Sequence, residues 1–319
     1  MTTSESKPRL RWLGRHPWRT VLRVAAVFAG VGATGWLIGL VWPEPDQVAA
    51  GATPSRDNPA SLAPYPRSPV TLLVVGIDAD RVGDLSNGAA PEGLANADAL
   101  MLVRIDASRR LEVLQLPTEL AVQLPGTERA ISLSRLWRDG GVQLLSDAVA
   151  EIVGLEEGHP QRFAVMPRSA LRQVVDGLGS VDLILSQPYA HEDLAQDYRV
   201  NLQAGRQSLN GEEAEQLVRY RANVNDNAGR RQRQQLLIQA VVNQVQAPDG
   251  IGLLAALVEG VSPMLGTNLS KQEMLSIAAA VVASPQALQI EQLPLADRSG
   301  AEPLRQLKPG QSLPLWPPT

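Results

Sequence analysis

The sequence predicts a mixed α/β fold: a central sheet covered by helices, preceded by an N-terminal transmembrane helix. Three observations carry this. Short apolar runs bounded by Gly, Pro or Asp recur along the chain. Segments with helical spacing alternate with them. One stretch of 19 residues near the N-terminus carries no charge at all.

That stretch is Val24 to Trp42, "VAAVFAGVGATGWLIGLVW". As a helix it spans roughly 28 Å, close to the hydrocarbon thickness of a bilayer. Residues 1–23 form a basic tail, with Lys7, Arg9, Arg11, Arg15, Arg19 and Arg23 against Glu5 alone. Glu44 and Asp46 follow the span, so the positive-inside rule places the N-terminus in the cytoplasm and the rest outside the cell membrane. Trp18, Trp36 and Trp42 lie at or near its ends, where interfacial aromatics are favoured. A cleaved signal peptide is the competing reading, with "VAAGA" as its small-residue site, but the apolar run exceeds a usual signal core. Residues 43–69 hold seven prolines and read as a semi-extended linker. Residues 299–319 form a second Pro-rich tail, which leaves 70–298 as the folded domain.

Within that domain, "VTLLVVGID" (70–78), "DALMLVRID" (98–106) and "LEVLQLP" (111–117) read as strands, the last two joined by a hairpin-like "ASRR". "VQLLSDAVAEIVG" (142–154) has helical spacing and stops at Gly154. "RFAVM" is a strand, and "PRSALRQVVDGLG" a helix with Pro at its start and Gly at its end. "SVDLIL" is the next strand. "NGEEAEQLVRYR" (210–221) offers Asn210 as N-cap with Glu213 three residues on, and "SKQEMLSIAAAVV" (270–282) pairs Ser270 with Glu273 in the same way. "LQIEQLP" is the expected final strand.

Composition excludes several functions. The chain has no cysteine, so disulfides, thiolate zinc sites and thiol nucleophiles are out. His16, His159 and His191 are too scattered for a histidine metal site. At 44% hydrophobic but 4% aromatic, the core must be built from Leu, Val, Ile and Ala. Of 29 basic and 33 acidic residues, the tail takes six and one, leaving the body near −9. A body that acidic argues against nucleic acid as a partner.

Three constellations could carry chemistry. Asp78 ends one strand and Asp98 begins the next, either as two turn caps or as carboxylates converging on a metal ion. Arg219 and Arg221 close a helix, where arginine also complements the macrodipole. In "NDNAGRRQRQQ" (225–235), a helix starting near Asp226 or Asn227 puts Arg230, Arg233 and Gln234 at i, i+3 and i+4. Leu237 and Val241 continue that stripe. A helix N-terminus already favours anions, so this face suits an amphiphile with an anionic head and an apolar tail. An ordinary solvated first turn is the alternative.

Taken in order, "LLVVGID", "NADALMLVRID", "DGLGSVDLIL", "LNGEEAEQLVRYR", "GRRQRQQ" and "TNLSKQEML" resemble the LytR-CpsA-Psr family over about residues 70–295. The resemblance implies a mixed α/β fold with a long hydrophobic pocket for a polyprenyl chain, whose pyrophosphate is held by arginines and Mg²⁺. It implies transfer of a glycopolymer from that carrier to peptidoglycan or another cell-wall glycan acceptor, through a phosphodiester link. By position, Asp78 and Asp98 match the acidic pair near the metal, Arg219 and Arg221 the phosphate-contacting pair, and Arg230, Arg233 and Gln234 the GRxxRQ residues. Either aspartate could take the acceptor's proton. This chain departs from the family in three places. Thr118-Glu119 stands where Arg-Asp is usual after Pro117, Asn227 replaces an Asp, and Ser132 stands for an Asn. The loss of charge at Thr118 favours an alternative: a polyprenyl-phosphate-binding protein with little transfer activity. Transcription attenuation, an older label for the family, conflicts with an acidic domain placed outside the membrane.

Overall fold

The computed structural model describes residues 58–84, 95–106, 108, 110–193, 198–247, 249–297 and 303–316. The expected transmembrane helix at 24–42 and the tail before it lie outside these residues, as does the linker up to residue 57. Among the described residues no single helix is long and apolar enough to cross a membrane.

Strands β1 (Val70–Ile77), β2 (Ala97–Ile105) and β3 (Leu111–Leu116) form an antiparallel meander. A short hairpin, β4 (Ala121–Val122) and β5 (Ile131–Ser132), leads into helix α1 (Leu133–Val153). Next come β6 (Arg162–Met166), α2 (Arg168–Gly177), β7 (Val181–Leu185), the hairpin β8 (Tyr189–Asp193) and β9 (Tyr198–Leu202), and β10 (Gly205–Leu209). The chain continues as α3 (Gly211–Arg219), α4 (Asn227–Val245), α5 (Gly250–Val261), β11 (Gly266–Thr267), α6 (Lys271–Val282) and β12 (Gln289–Gln292). The central sheet has the order β11-β6-β1-β2-β3-β12. It is mixed: β6 joins β1 and β12 joins β3 in parallel, while the meander and β11 are antiparallel.

Strand alternation separates two cores. Leu73, Val75, Leu100, Leu102, Leu114 and Leu116 pack toward α1, with Leu136, Leu145 and the C-terminal Trp316 against them. The opposite side carries a layer of helices α2 to α6 with β7 to β9, whose core includes Val175, Leu183, Leu202, Leu217 and Ala279. Both cores are aliphatic, as the low aromatic content requires, and each fully buried leucine contributes about 1.5–3 kcal/mol.

The expected strands and helices recur with small shifts at their ends, and both capping boxes are present. Asn210 Oδ1 accepts the Glu213 N–H and Glu213 Oε2 accepts the Asn210 N–H, each at 3.0 Å. Ser270 and Glu273 do the same for α6. The helix expected to begin at 142 begins instead at Leu133. Gly141, at φ 64° and ψ −156°, breaks the helical geometry, and the helix resumes beyond it. The sequence reading therefore found the second half of a kinked helix. Helix α5 and strands β8 to β10 were not anticipated.

Candidate functional site

Asp78 and Asp98 meet because of one irregularity. Gly76 pairs with Ala99 but Ile77 pairs with Ala97, so Asp98 is the extra residue of a β-bulge. Regular alternation from Leu100 and Leu102 would turn Asp98 toward α1. The bulge re-aims it to the other face, beside Ala99 and Met101, and returns Ala97 to the α1 side. Asp78 leaves the end of β1 on that same side. Its backbone N–H donates to Asn96 O at 3.2 Å, and its Oδ1 accepts the Asn96 N–H at 2.6 Å. Burial, then the nearby Asp98 charge, pushes the Asp78 carboxyl above the ordinary carboxylate range.

Helix α4 brings the arginines. Its buried Gln115 contacts fix it across the sheet: Gln115 Nε2 donates to Gln234 Oε1 at 3.2 Å, and Gln235 Nε2 donates to Gln115 Oε1 at 2.8 Å. Gln234 Nε2 donates to the Asp98 carbonyl at 3.2 Å. Arg230 Nη1 lies 2.7 Å from Asp98 Oδ1, and its Nη2 donates to the Thr118 hydroxyl at 3.2 Å. Arg221 Nη2 is 4.0 Å from the same Asp98 oxygen, with its side chain 37% exposed. Burial and the adjacent Arg230 charge hold the Arg221 guanidinium below the ordinary arginine value. Two cations thus crowd one carboxylate, an arrangement that a further anion relieves.

The other two arginines of the motif go elsewhere. Arg231 pairs with buried Glu119 at 2.5 Å. Arg233 is held by Asp226 at 2.9 Å and lies over the rings of Tyr220 and Tyr189, 5.0 and 5.4 Å from their centroids. The structure brings Asp78, Asp98, Arg221, Arg230 and Gln234 together, and turns Arg233 toward the tyrosines. Arg219 stands on the α3 side, 2.9 Å from Glu215 and stacked over Tyr198 at 4.3 Å.

A cavity of about 230 Å³ lies between the sheet and helices α2, α3 and α4. Its polar wall comprises Asp78, Asp98, Arg168, Glu215, Arg219 and Gln234. Asp78 and Arg168 sit just past the C-terminal ends of the parallel strands β1 and β6, Asp98 at the start of β2, Glu215 and Arg219 on α3, and Gln234 in the first half of α4. Along the strands and helix away from that end, the wall is apolar: Val74, Met101, Leu171, Leu237, Val241 and Val242. From Gln234 to Val242 is about 12 Å of helix. The cavity therefore has a charged end and a hydrocarbon end.

Sequence reasoning missed Arg168 and Glu215. Arg168 opens α2 directly after β6. Because β6 pairs in parallel with β1, Gly76 opposite Met166, Arg168 falls beside Asp78. It bridges Asp80 at 2.9 Å and Glu215 at 3.4 Å. Glu215 is 5% exposed and also engages Arg172 and Arg219. The available signal was a charged residue at the end of a parallel strand, where open α/β sheets place their ligands.

Comparison with known proteins places the chain in a family. Residues 46–306 match the model of the LytR_cpsA_psr family. The chain belongs to that family. It is 23% identical over 213 residues to the polyisoprenyl-teichoic acid–peptidoglycan teichoic acid transferase TagU of Enterococcus faecalis, covering 66% of this chain and 65% of that one. The chain thus spans just under two thirds of that relative's length. TagV of B. subtilis has a similar crystal structure, with a TM-score of 0.62 at 17% identity over 76% of this chain and 92% of that one. TagT bound to LIIa-WTA gives a TM-score of 0.56 at 20% identity, over 76% and 86%. At these identities the solved structures establish the fold alone.

Of the positions expected to depart from the family pattern, Thr118, Glu119 and Ser132 make side-chain contacts. The Thr118 hydroxyl receives Arg230, and Glu119 neutralises Arg231. Asn227 is the first residue of α4, with Asp226 beside it accepting from Ala222 N–H and Arg233. Ser132 is the N-cap of α1, its hydroxyl 3.0 Å from that of Ser134.

Proposed function

We propose that this protein is a membrane-anchored transferase that moves a glycopolymer from a polyprenyl-pyrophosphate carrier to a cell-wall acceptor. The observation that carries the reading is the polarity of the cavity, apolar along β1, β2 and α4 and charged where Asp78, Asp98, Arg168 and Arg219 converge. A lipid with an anionic head fits such a cavity in one direction only. Family membership and the teichoic acid transferase named among its relatives support the same substrate class. The charge-free segment at 24–42 supports anchoring, with the domain outside the cell membrane.

The reaction breaks the pyrophosphate bridge. The acceptor hydroxyl attacks the phosphorus attached to the saccharide, a phosphodiester forms, and polyprenyl phosphate leaves. Such transfers depend on positioning and charge stabilisation more than on a protein nucleophile. Arg219 and Arg221 hold phosphate oxygens from the α3 side, and Arg230 steadies Asp98. Guanidinium suits this role because its planar fork matches two phosphate oxygens. Either Asp78 or Asp98 stands where it could take the hydroxyl proton.

Mg²⁺ fits the carboxylate pair. Among the described residues no group of three or more His, Asp or Glu side chains could hold a metal. Two carboxylates are what Mg²⁺ needs when phosphate and water complete its shell. Asp78 and Asp98 would hold it, and when bound it neutralises charge on the pyrophosphate.

Thr118 favours a second reading, lipid-pyrophosphate binding with little turnover, because a hydroxyl replaces a cation beside Arg230. One assay separates the two. Purified full-length protein is incubated with a polyprenyl-pyrophosphate-linked saccharide, Mg²⁺ and peptidoglycan. Product that falls at least about 100-fold in Arg221→Ala or Asp98→Ala supports the transferase. Binding without product supports the second reading, and no binding contradicts both.

A further inference from the structure

We propose that Arg138 on α1 is an additional phosphate-binding residue of this site, reaching it from the α1 side of the sheet. The inference rests on the proposed function and extends it to a residue outside the shared motifs.

Helix α1 is locked to the loop after β3. Leu133 N–H donates to Leu120 O at 2.8 Å and Ser134 N–H to Thr118 O at 3.0 Å. Arg138 lies four residues beyond Ser134 and so occupies the same helical face, one turn on. Its Nη1 donates to Asn96 Oδ1 at 3.4 Å. The Asn96 N–H in turn donates to Asp78 Oδ1 at 2.6 Å. Asn96 immediately precedes β2, the strand whose start carries Asp98, and its side-chain oxygen turns to α1. The Arg138 guanidinium therefore contacts the side chain of the residue whose backbone N–H holds Asp78.

The charge around it sets Arg138 apart from its neighbours. Arg135, on the same helix, is paired with Asp139 at 3.2 Å. Arg230 pairs with Asp98, and Arg219 with Glu215 while also lining the cavity. Arg138 is exposed and pairs with no carboxylate among the described residues, where its one hydrogen bond is long and to a neutral amide. A phosphate oxygen is a stronger acceptor than that amide, so a phosphate held beside Asp78 would draw the Arg138 side chain to it. Held between Arg138 on one side and Arg219 and Arg221 on the other, the pyrophosphate meets cations from both.

The test is calorimetric titration of the full chain in detergent with geranylgeranyl pyrophosphate, and with geranylgeraniol as a headless probe. Arg138→Ala is expected to weaken pyrophosphate binding on the order of tenfold, with Arg138→Lys intermediate. Arg135→Ala should bind as the wild type does, and geranylgeraniol should bind every variant equally. Adding Thr118→Arg to Arg138→Ala should restore affinity. Unchanged pyrophosphate binding in Arg138→Ala overturns the inference and leaves the proposed function standing. So does equal weakening toward both probes, which marks a structural role. Failure of the wild type to bind the pyrophosphate overturns the proposed function and this inference together.

Discussion

Arg230, Arg231 and Arg233 lie within four residues of one helix, and each guanidinium finds a different carboxylate. Arg230 reaches Asp98, Arg231 reaches Glu119 and Arg233 reaches Asp226. Helical spacing alone puts Arg230, Arg233 and Gln234 on one face. Gln234 is short and stays on the cavity wall, but a long arginine stem lets the charged head leave the face its Cβ defines. The destination of Arg233 depended on Tyr189 and Tyr220, which arrive from other elements and were not legible in the motif. The carboxylate pair was legible, its environment was not. Because burial and Asp98 raise the Asp78 pKa, folding is more favourable with Asp78 protonated than with it ionised. That stabilisation is complete below the ordinary carboxylate pKa and is lost as pH rises through the raised folded value. Asp78→Asn, which cannot ionise, should therefore unfold at a higher temperature than the wild type at neutral pH in EDTA. The difference should vanish on acidification below the ordinary carboxylate range. A variant less stable than the wild type at neutral pH would contradict the cause assigned to the shift.

At the scale of elements, the strands of the meander were readable because their apolar runs are bounded by Gly, Asp and Pro. Helices α3 and α6 were readable because a capping box announces each. Helix α1 was half readable. Gly140 and Gly141 look like an ending, yet the helix continues on both sides of a residue with a backbone conformation that only glycine adopts easily. Gly141→Ala should cost about 1–3 kcal/mol in chemical denaturation for that reason. A cost near zero would mean that the kink relaxes into regular helix. Helix α5, "GIGLLAALVEGV", was hidden by three glycines and an apolar surface with little polar face to give it a period. Strands β9 and β10 expose many polar residues, and β8 reads "YAHED". They are held by pairing with partners rather than by an apolar pattern. The β-bulge at Gly76 left no mark in the sequence beyond the glycine itself, although it decides where Asp98 points.

Across the whole molecule, an acidic body carries a site where cations gather. Away from the N-terminal tail the chain is near −9, yet Arg168 and Arg219 line one end of one cavity, and Arg221 and Arg230 stand against Asp98 in its wall. Such local concentration draws one kind of anion to one place rather than binding polyanions over a surface. The other end offers hydrocarbon. The central claim is that a polyprenyl tail occupies that end, and a chain-length series tests it most directly. Affinities of the full protein are measured for geranyl, farnesyl and geranylgeranyl pyrophosphate, with Ile238→Trp as a variant that narrows the apolar wall. Each buried methylene is worth up to about 0.8 kcal/mol, so affinity should climb several-fold or more with each isoprene unit. In Ile238→Trp the climb should flatten while the contribution of the pyrophosphate persists. Equal affinity for all three lipids in the wild type would mean that the cavity does not hold the tail, and would contradict the account.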